Sequence, residues 1–504
     1  VPPTSGSQAP PARVIVIGAG IVGLSSAWWL RREGVETIVL DSADPCESAS
    51  AGNAGLLSIG HYPLNRPGAS WKGLRWMASR RSPLYIRPTV DPRVLSWLWS
   101  FHRHCNAVWC DRCLAALCAL GFPSLQALEL MLAEESIKCD YARDGWLDVV
   151  LSASALHEAE RDARAIERFG YSFETLSGSV LRAAHPVFRS EVAGAVHYRD
   201  SARMHPGTFL RGLLDAVRRR GASVRLDARV DAIMTAGDRA SDGTGTRADG
   251  GASTRADGGT SVRGVRLASG EEIEADAVVV AAGVWSSALV EPLGVRLPLM
   301  AARGYHLHFP SVPAMPGTGC VLSETKVAVT PMGASLRLAG TLELGSTGRP
   351  WMRERVDAIV DGAARYFNGV REWHGASEWA GYRPCLPDGM PMVGAVPWVP
   401  GLMIATGHAM MGMTLGPISG RIVCDRLMGR EPTVDDSMLS AARFGRMTPR
   451  VGRQNQHVGR QNQHVGRQNQ HVGRQNQHVG RPAPGDARVS SRGDERRAAG
   501  ANDR

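Results

Sequence analysis

The run Gly18-Ala19-Gly20-Ile21-Val22-Gly23 constrains this chain more than any other six residues in it. It follows the apolar segment Val14–Ile17, which reads as a buried strand, and it opens a stretch with helical periodicity. Gly18 allows a tight turn. Gly20 lets backbone approach a pyrophosphate, and Gly23 lets the helix pack closely on the sheet. The pyrophosphate then sits at a helix N-terminus, where unpaired N–H groups favour negative charge. Asp41 ends the next strand, where a carboxylate can accept hydrogen bonds from ribose hydroxyls. Ala27, Leu30 and Gly34 fall at core and turn positions of the same unit. The alternative, an ordinary strand-to-helix turn, does not account for the acid. Residues 13–41 are therefore expected to form a dinucleotide-binding strand–helix–strand unit.

Further along, Ala277–Ala281 is a continuous apolar run that leads into Gly283, as expected of a buried parallel strand. Leu402–Ala405 is another, followed by a glycine-rich turn and a helix over 418–428. Residues 44–62 read as a long loop, 71–135 as mainly helical, and 303–345 as short strands. A chain of 504 residues exceeds what one core needs, so two packed domains are expected. TRADGG occurs at 246–251 and 254–259, inside a low-complexity loop spanning 236–261. VGRQNQH occurs four times in tandem over 451–478. One apolar residue in seven cannot supply a coiled-coil seam, so 443–504 is expected to be a disordered tail.

Thirteen arginines against four acids place +9 of the formal +10 in residues 443–504, leaving 1–442 near +1. The basic balance describes the tail and implies no nucleic-acid partner for the folded body. Nine cysteines without framework spacing suggest reduced thiols in a cytoplasmic protein. Cys105, Cys110, Cys113 and Cys118 spread around a helix, unlike a compact zinc loop, so no metal is expected. Val1–Ala12 lacks an apolar signal core. No run of 18 uncharged apolar residues predicts a spanning helix. Residues 71–112 hold five of the 13 tryptophans and eight Lys or Arg against two acids. That composition suits a substrate-domain core, or peripheral contact with the inner face of an anionic membrane.

Several separated segments occur together in one order: IGAGIVGLSSAWWLRREG (17–34), SAGNAGLLS (50–58), ADAVVVAAGVWS (275–286), RGYHLHF (303–309), AGYRPCLPDGMPMVG (380–394) and TGHAMMGMTLGPISG (406–420). In this the chain resembles the D-amino acid oxidase and dehydrogenase family of flavoproteins, most closely its bacterial dehydrogenase branch, over roughly 13–432. The resemblance implies an α/β fold. An FAD-binding Rossmann-like domain would use 13–62, 200–290 and 380–432. A discontinuous α+β substrate domain would use 63–199 and 291–379. It also implies FAD rather than NAD, since no second dinucleotide motif is present. Carried over position by position, the cofactor contacts are Gly18, Gly20, Ile21, Val22, Gly23 and Asp41, with Ser50, Asn53, Ala54 and Gly55 in a flavin-facing loop. Val230 would hold the adenine through its backbone, near the second glycine turn at Ala282 and Gly283. Gly407, His408, Gly412, Met413 and Thr414 would form the turn and helix N-terminus that stabilise the anionic reduced flavin by fixed dipoles.

On the substrate side the resemblance makes Arg383 the anchor for an α-carboxylate, which its planar fork can bind bidentately. Tyr305 would hydrogen-bond that carboxylate or pack as a wall. His306 would pack or touch substrate. His408 would meet flavin or substrate, or shape its turn. Asp388 would fix a turn. Cys385 lies beside the anchor, but its spacing differs from that of relatives that tether flavin through cysteine, so non-covalent FAD is expected. The implied reaction is oxidative deamination of a D-amino acid to a 2-oxo acid and ammonia, by hydride transfer from the α-carbon. The alternatives are oxidation of hydroxyproline, glycine or an N-methylated amino acid, or a catalytically silent flavoprotein subunit. A quinone or another electron acceptor would complete the cycle.

Overall fold

The computed structural model describes residues 10–60, 62–76, 79–237, 261–345, 348 and 350–446. Strand Arg13–Ile17 lies inside a six-stranded sheet, between Ala277–Val280 and Glu36–Leu40. Leu402–Thr406 and then Met392–Ala395 continue the sheet on one side, and Ser223–Arg225 closes the other. All its pairs are parallel except the last-named hairpin, Met392–Ala395 with Leu402–Thr406. The strands are apolar without alternation because both faces are covered. Val14, Val16 and Val279 pack with Leu24 and Ala27 of helix Ile21–Arg32. Ile15, Val278 and Val280 pack on the other face with Ile233 and Val265 of a three-stranded sheet.

Helix Ile21–Arg32 lies close along helix Gly412–Leu427. A Cβ on Gly416 would come within 2.8 Å of Ile21, and one on Gly420 within 2.5 Å of Ser25. Trp29 Nε1 donates to the Pro417 carbonyl across the same contact, at 3.2 Å. Helix Ala107–Glu135 packs on this pair, with Ser124 Oγ donating to the Thr414 carbonyl. Its 29 residues are long and apolar enough to cross a membrane, which the sequence reading did not anticipate. It serves here as a core helix, with 56% of its apolar window buried. Cys113 and Cys118 face that core, and burial pushes both thiols up to about 12.

A nine-stranded sheet forms the second layer system. Its path runs Ser377–Cys385, Met300–Phe309, Ser335–Leu344, Val327–Met332, Gly319–Leu322, Trp146–Val150, Gly194–Tyr198, Phe173–Ser177, with Leu84–Ile86 added beside Ser335–Leu344. Pairing is antiparallel except at Gly319–Leu322 with Trp146–Val150 and at Leu84–Ile86. Helix Arg353–Ala363 covers one face, where Val356 and Ile359 pack with Leu307 and Leu338.

Residues 71–135 are mainly helical, as expected, in helices Ala69–Trp76, Pro92–His104 and Ala107–Glu135, with one short strand, Leu84–Ile86. Its tryptophans divide: Trp97 is buried, whereas Trp71 and Trp99 are 68% and 65% exposed. Residues 443–446 were assigned to the tail, yet Arg443 ion-pairs with buried Asp388 at 2.6 Å and Arg446 bridges Val295. The repeats lie outside the described residues, as does 238–260 of the low-complexity segment. The strands flanking the latter pair antiparallel, Thr235 opposite Val262.

Candidate active site

The glycine turn is built by steric necessity. Gly18 has φ +107°, and a Cβ there would lie 2.5 Å from the Ala281 carbonyl oxygen. A Cβ on Gly23 would lie 1.8 Å from the Gly18 carbonyl oxygen. The turn is tied to its neighbours by side chains. Asp41 Oδ2 accepts from Ala19 N–H at 2.6 Å, and Oδ1 from Ser42 N–H at 2.6 Å. Burial raises the Asp41 pKa, opposed by those N–H donors. Ser50 Oγ accepts from Ile21 N–H at 3.0 Å, which brings the 50–55 loop onto the start of the helix. Ala228 N–H donates to the Asp41 carbonyl at 2.7 Å, so the strand opening at Val230 lies close by.

The other segments close on the same place. Ala281 N–H donates to the Ile17 carbonyl, and Thr406 Oγ1 to the Gly283 carbonyl, at 2.8 and 3.0 Å. Gly407, with φ +82°, starts the turn that leads to helix Gly412–Leu427. That helix has no side-chain N-cap, and Gly412 sits 3.7 Å from Ile21 by its absent Cβ. Asn53 Nδ2 reaches the Met410 carbonyl at 3.4 Å, and Asn53 Oδ1 accepts from Gly55 N–H at 2.9 Å. Ile21, Val22, Met413 and Thr414 are buried.

The strand Met300–Phe309 and its neighbour Ser377–Cys385 bring the substrate-side residues in. Arg383 stands opposite Ala302, and a Cβ on Gly304 would meet its guanidinium at 2.4 Å. Among the described residues the Arg383 side chain makes no hydrogen bond or ion pair, and burial lowers its pKa. His306 lies on the same strand face as Gly304. It stacks on Trp379 with centroids 4.9 Å apart, and Nδ1 donates to the Gly52 carbonyl at 3.0 Å. Burial and the Arg337 charge hold His306 well below the usual imidazole range, so it is neutral. His408 is buried, with Nε2 2.8 Å from Ser419 Oγ, and burial lowers it to about 4. It is a neutral ring committed to the helix it precedes.

Tyr305 does not join this group. Strand alternation turns it to the opposite face, where its hydroxyl donates to buried Glu343 at 2.7 Å. The reading of Tyr305 as a carboxylate contact is therefore not the arrangement seen.

Two residues absent from the sequence reading complete the face. Arg337 is buried, and one of its terminal nitrogens donates to the carbonyls of Ala51, at 3.0 Å, and Asn53. It has no acidic partner among the described residues, and burial lowers its pKa to about 10. Trp379 lies over Gly52 and Gly381, whose Cβ positions fall 2.2 and 2.1 Å from its ring. The glycines on both sides of Trp379 in space were the available signal, but only one of them is near it in sequence.

A loop of small residues, a buried acid, two glycine turns and an uncapped helix N-terminus are thus brought together. Residues 13–426 match the family of FAD-dependent oxidoreductases known as DAO. The chain belongs to that family. Among curated relatives, the D-amino acid dehydrogenase of Cereibacter sphaeroides is 31% identical over 439 residues, covering 86% of this chain and 95% of that protein. The D-amino acid dehydrogenase of Rhizorhabdus wittichii is 30% identical over 442 residues, covering 86% and 100%. Among solved structures, glycine oxidase from Geobacillus kaustophilus superposes with a TM-score of 0.63 at 18% identity, covering 88% of this chain and all of that one. L-proline dehydrogenase from P. horikoshii gives 0.64 at 14% identity, covering 87% and 98%.

FAD is accordingly the cofactor of this oxidoreductase, and the residues present fit it. Gly18 and Gly20 let the turn pack against the Ala281 backbone and Ser50 Oγ, where a Cβ would fall 2.5 and 3.1 Å away, at the N-terminus of a helix that favours a pyrophosphate. Asp41 offers the carboxylate for ribose, and the N-terminus of helix Gly412–Leu427 offers unpaired N–H groups to an anion. Cys385 is buried, and burial pushes its thiol up to about 12.

Proposed function

We propose that this flavoprotein oxidises D-amino acids at the α-carbon, giving 2-oxo acids and ammonia after the imine hydrolyses. The observation that carries the reading is Arg383, a half-buried guanidinium with no acidic partner among the described residues. A partly desolvated cation without a counter-charge is costly, and an α-carboxylate supplies one in the bidentate geometry that arginine favours. The names of the curated relatives support the same substrate class.

When bound, FAD supplies the two-electron acceptor for the hydride that leaves the α-carbon. The chain's own residues do the rest. Arg383 fixes the carboxylate. Arg337 adds a second positive charge with no acid to balance it, and together they disfavour an ammonium group, so the amine is held neutral. His306 and His408 are neutral at physiological pH and, with lowered pKa values, are poor bases. Positioning and electrostatics therefore carry the reaction, without a side-chain base. Handedness follows from three fixed points: carboxylate on Arg383, Cα–H toward the flavin, side chain toward the pocket.

The test is anaerobic flavin bleaching against D-amino acids, L-amino acids, glycine, hydroxyproline and N-methyl amino acids. D-isomers are expected to bleach fastest. Arg383→Ala should keep FAD and weaken transition-state binding by about 2–5 kcal/mol, with Arg383→Lys recovering part of it. Near-normal bleaching in the Ala variant removes Arg383 from the site. A preference for L-isomers or for the secondary amines overturns the substrate assignment.

We also infer a dehydrogenase that passes electrons to a quinone while resting on the inner face of the membrane. Exposed Trp71, Val90, Leu95, Trp99 and Val108 cluster between residues 71 and 108, in a basic stretch. Such a surface suits an anionic bilayer interface. Quinone analogues should speed turnover, and rapid oxygen-driven turnover that gains nothing from them argues against this acceptor.

A further inference from the structure

A cleft of about 720 Å³ opens between the end of helix Pro92–His104, the start of helix Ala107–Glu135 and the segment around 437–444. None of its lining residues belongs to the flavin turns or to the Arg383 face. Four arginines line it: Arg103, Arg112, Arg296 and Arg443. Its single carboxylate, Asp388, is already engaged by Arg443 at 2.6 Å. The other three guanidiniums have no acidic partner among the described residues. Arg112 only approaches Met438 Sδ at 3.8 Å and the Trp109 ring at 5.7 Å. Elsewhere most surface arginines do find acids: Arg13, Arg32, Arg164, Arg225 and Arg426 all ion-pair with Glu or Asp. Three unbalanced charges around one concavity repel each other, and their field is focused where the walls exclude water. The half-buried Trp109 and the exposed Trp99 line the cleft too, beside Met438 and Phe444.

We propose that this cleft is a second binding site, for a phosphate ester. Three arginines without an acidic partner among the described residues line one cleft, which favours the multiple charge and oxygens of a phosphate over a lone carboxylate, and guanidinium matches phosphate bidentately. The volume lies within the range of small-molecule sites, roughly 300–1,000 Å³. The site does not depend on the substrate reading above. A phosphate ester reaches it either as a soluble molecule or as the headgroup of a phospholipid, since both carry the same group.

The experiment uses the FAD-loaded protein, so that the cofactor site is already filled. Glycerol 3-phosphate is titrated calorimetrically, and vesicles of phosphatidylglycerol and phosphatidylcholine are tested by cosedimentation. The parent is compared with R103Q/R112Q/R296Q, and with R161Q/R211Q/R266Q as an equal loss of charge elsewhere. We expect at least one probe to bind the parent, at least tenfold weaker binding in the cleft variant, and little change in the control. Binding of glycerol 3-phosphate assigns the soluble source. Binding of vesicles alone, lost in the cleft variant, assigns the headgroup. No binding of either probe, or equal losses in the two triple variants, overturns the proposal. All six arginines are exposed, so the substitutions leave the core intact, and near-identical flavin spectra check this.

Discussion

At the scale of single residues, the site is defined by charges that lack partners and by histidines that cannot carry charge. His408 illustrates the second. Burial holds its folded pKa at about 4, below the unfolded value near 6.5. A group neutral in the folded state and protonated in the unfolded state contributes stability that is complete above pH 6.5. That stability is lost as pH falls toward 4, at up to about 1.4 kcal/mol per pH unit. His408→Gln keeps an amide within reach of Ser419 but removes the titration. Its stability should fall less steeply than the parent's between pH 6.5 and 4, in chemical denaturation across that window. Identical slopes would show that His408 is not buried as a neutral ring. The sequence drew attention to Arg383 because the residue sits inside a recognisable motif, and the structure places it opposite Ala302, on the face of Gly304 and His306. The sequence did not reveal Arg337, since that residue matters through carbonyls nearly 290 positions away. It misplaced Tyr305 because a strand's alternation shows which residues share a face, but not which face meets the site.

At the scale of elements, the glycines report on packing more than on turns. Helices Ile21–Arg32 and Gly412–Leu427 approach so closely that Gly420 has no room for a methyl group: its Cβ would lie 2.5 Å from Ser25 backbone. Backbone cannot swing aside as a side chain can. Gly420→Ala should therefore push the second helix outward, at a cost of about 1–3 kcal/mol for overpacking. Because that helix begins at the 406–412 turn, FAD should be held more weakly too. Thermal melts and cofactor release by fluorescence check both, and an unchanged melt would mean the helices are not in this contact. The nucleotide-binding strands were legible as uninterrupted apolar runs, since a parallel strand covered on both faces needs no polar alternation. The nine-stranded sheet was not legible beyond a series of short strands. Its parallel join of Gly319–Leu322 to Trp146–Val150 links segments with no local signal of each other.

At the scale of the whole molecule, the chain interleaves its layers, and residues 443–446 are tied back to the body by an ion pair and a bridge. The sequence located the repeats and their inability to bury a seam, yet it drew the boundary of the body too early. Arg443 is the reason. It donates to both oxygens of Asp388 and to the Met390 carbonyl, with the Asp388 side chain only 2% exposed. Asp388 in turn accepts from Met390 N–H at 3.2 Å, holding the turn that follows Arg383. Two truncations separate body from tail. Ending the chain after Arg450 keeps this pair and removes the repeats, whose one apolar residue in seven gives a core nothing to use. Turnover and melting temperature should match the full chain. Ending it after Ala442 strands a buried carboxylate, which costs about 3–5 kcal/mol when one partner of a buried pair is lost. That form should melt lower and reduce its flavin more slowly, as the Pro387–Met390 turn loosens beside Arg383, the proposed anchor. Equal behaviour of the two truncations would show that the Asp388–Arg443 pair does not hold the body closed. A loss of turnover in the longer one, with its melt intact, would assign the repeats a part in the chemistry.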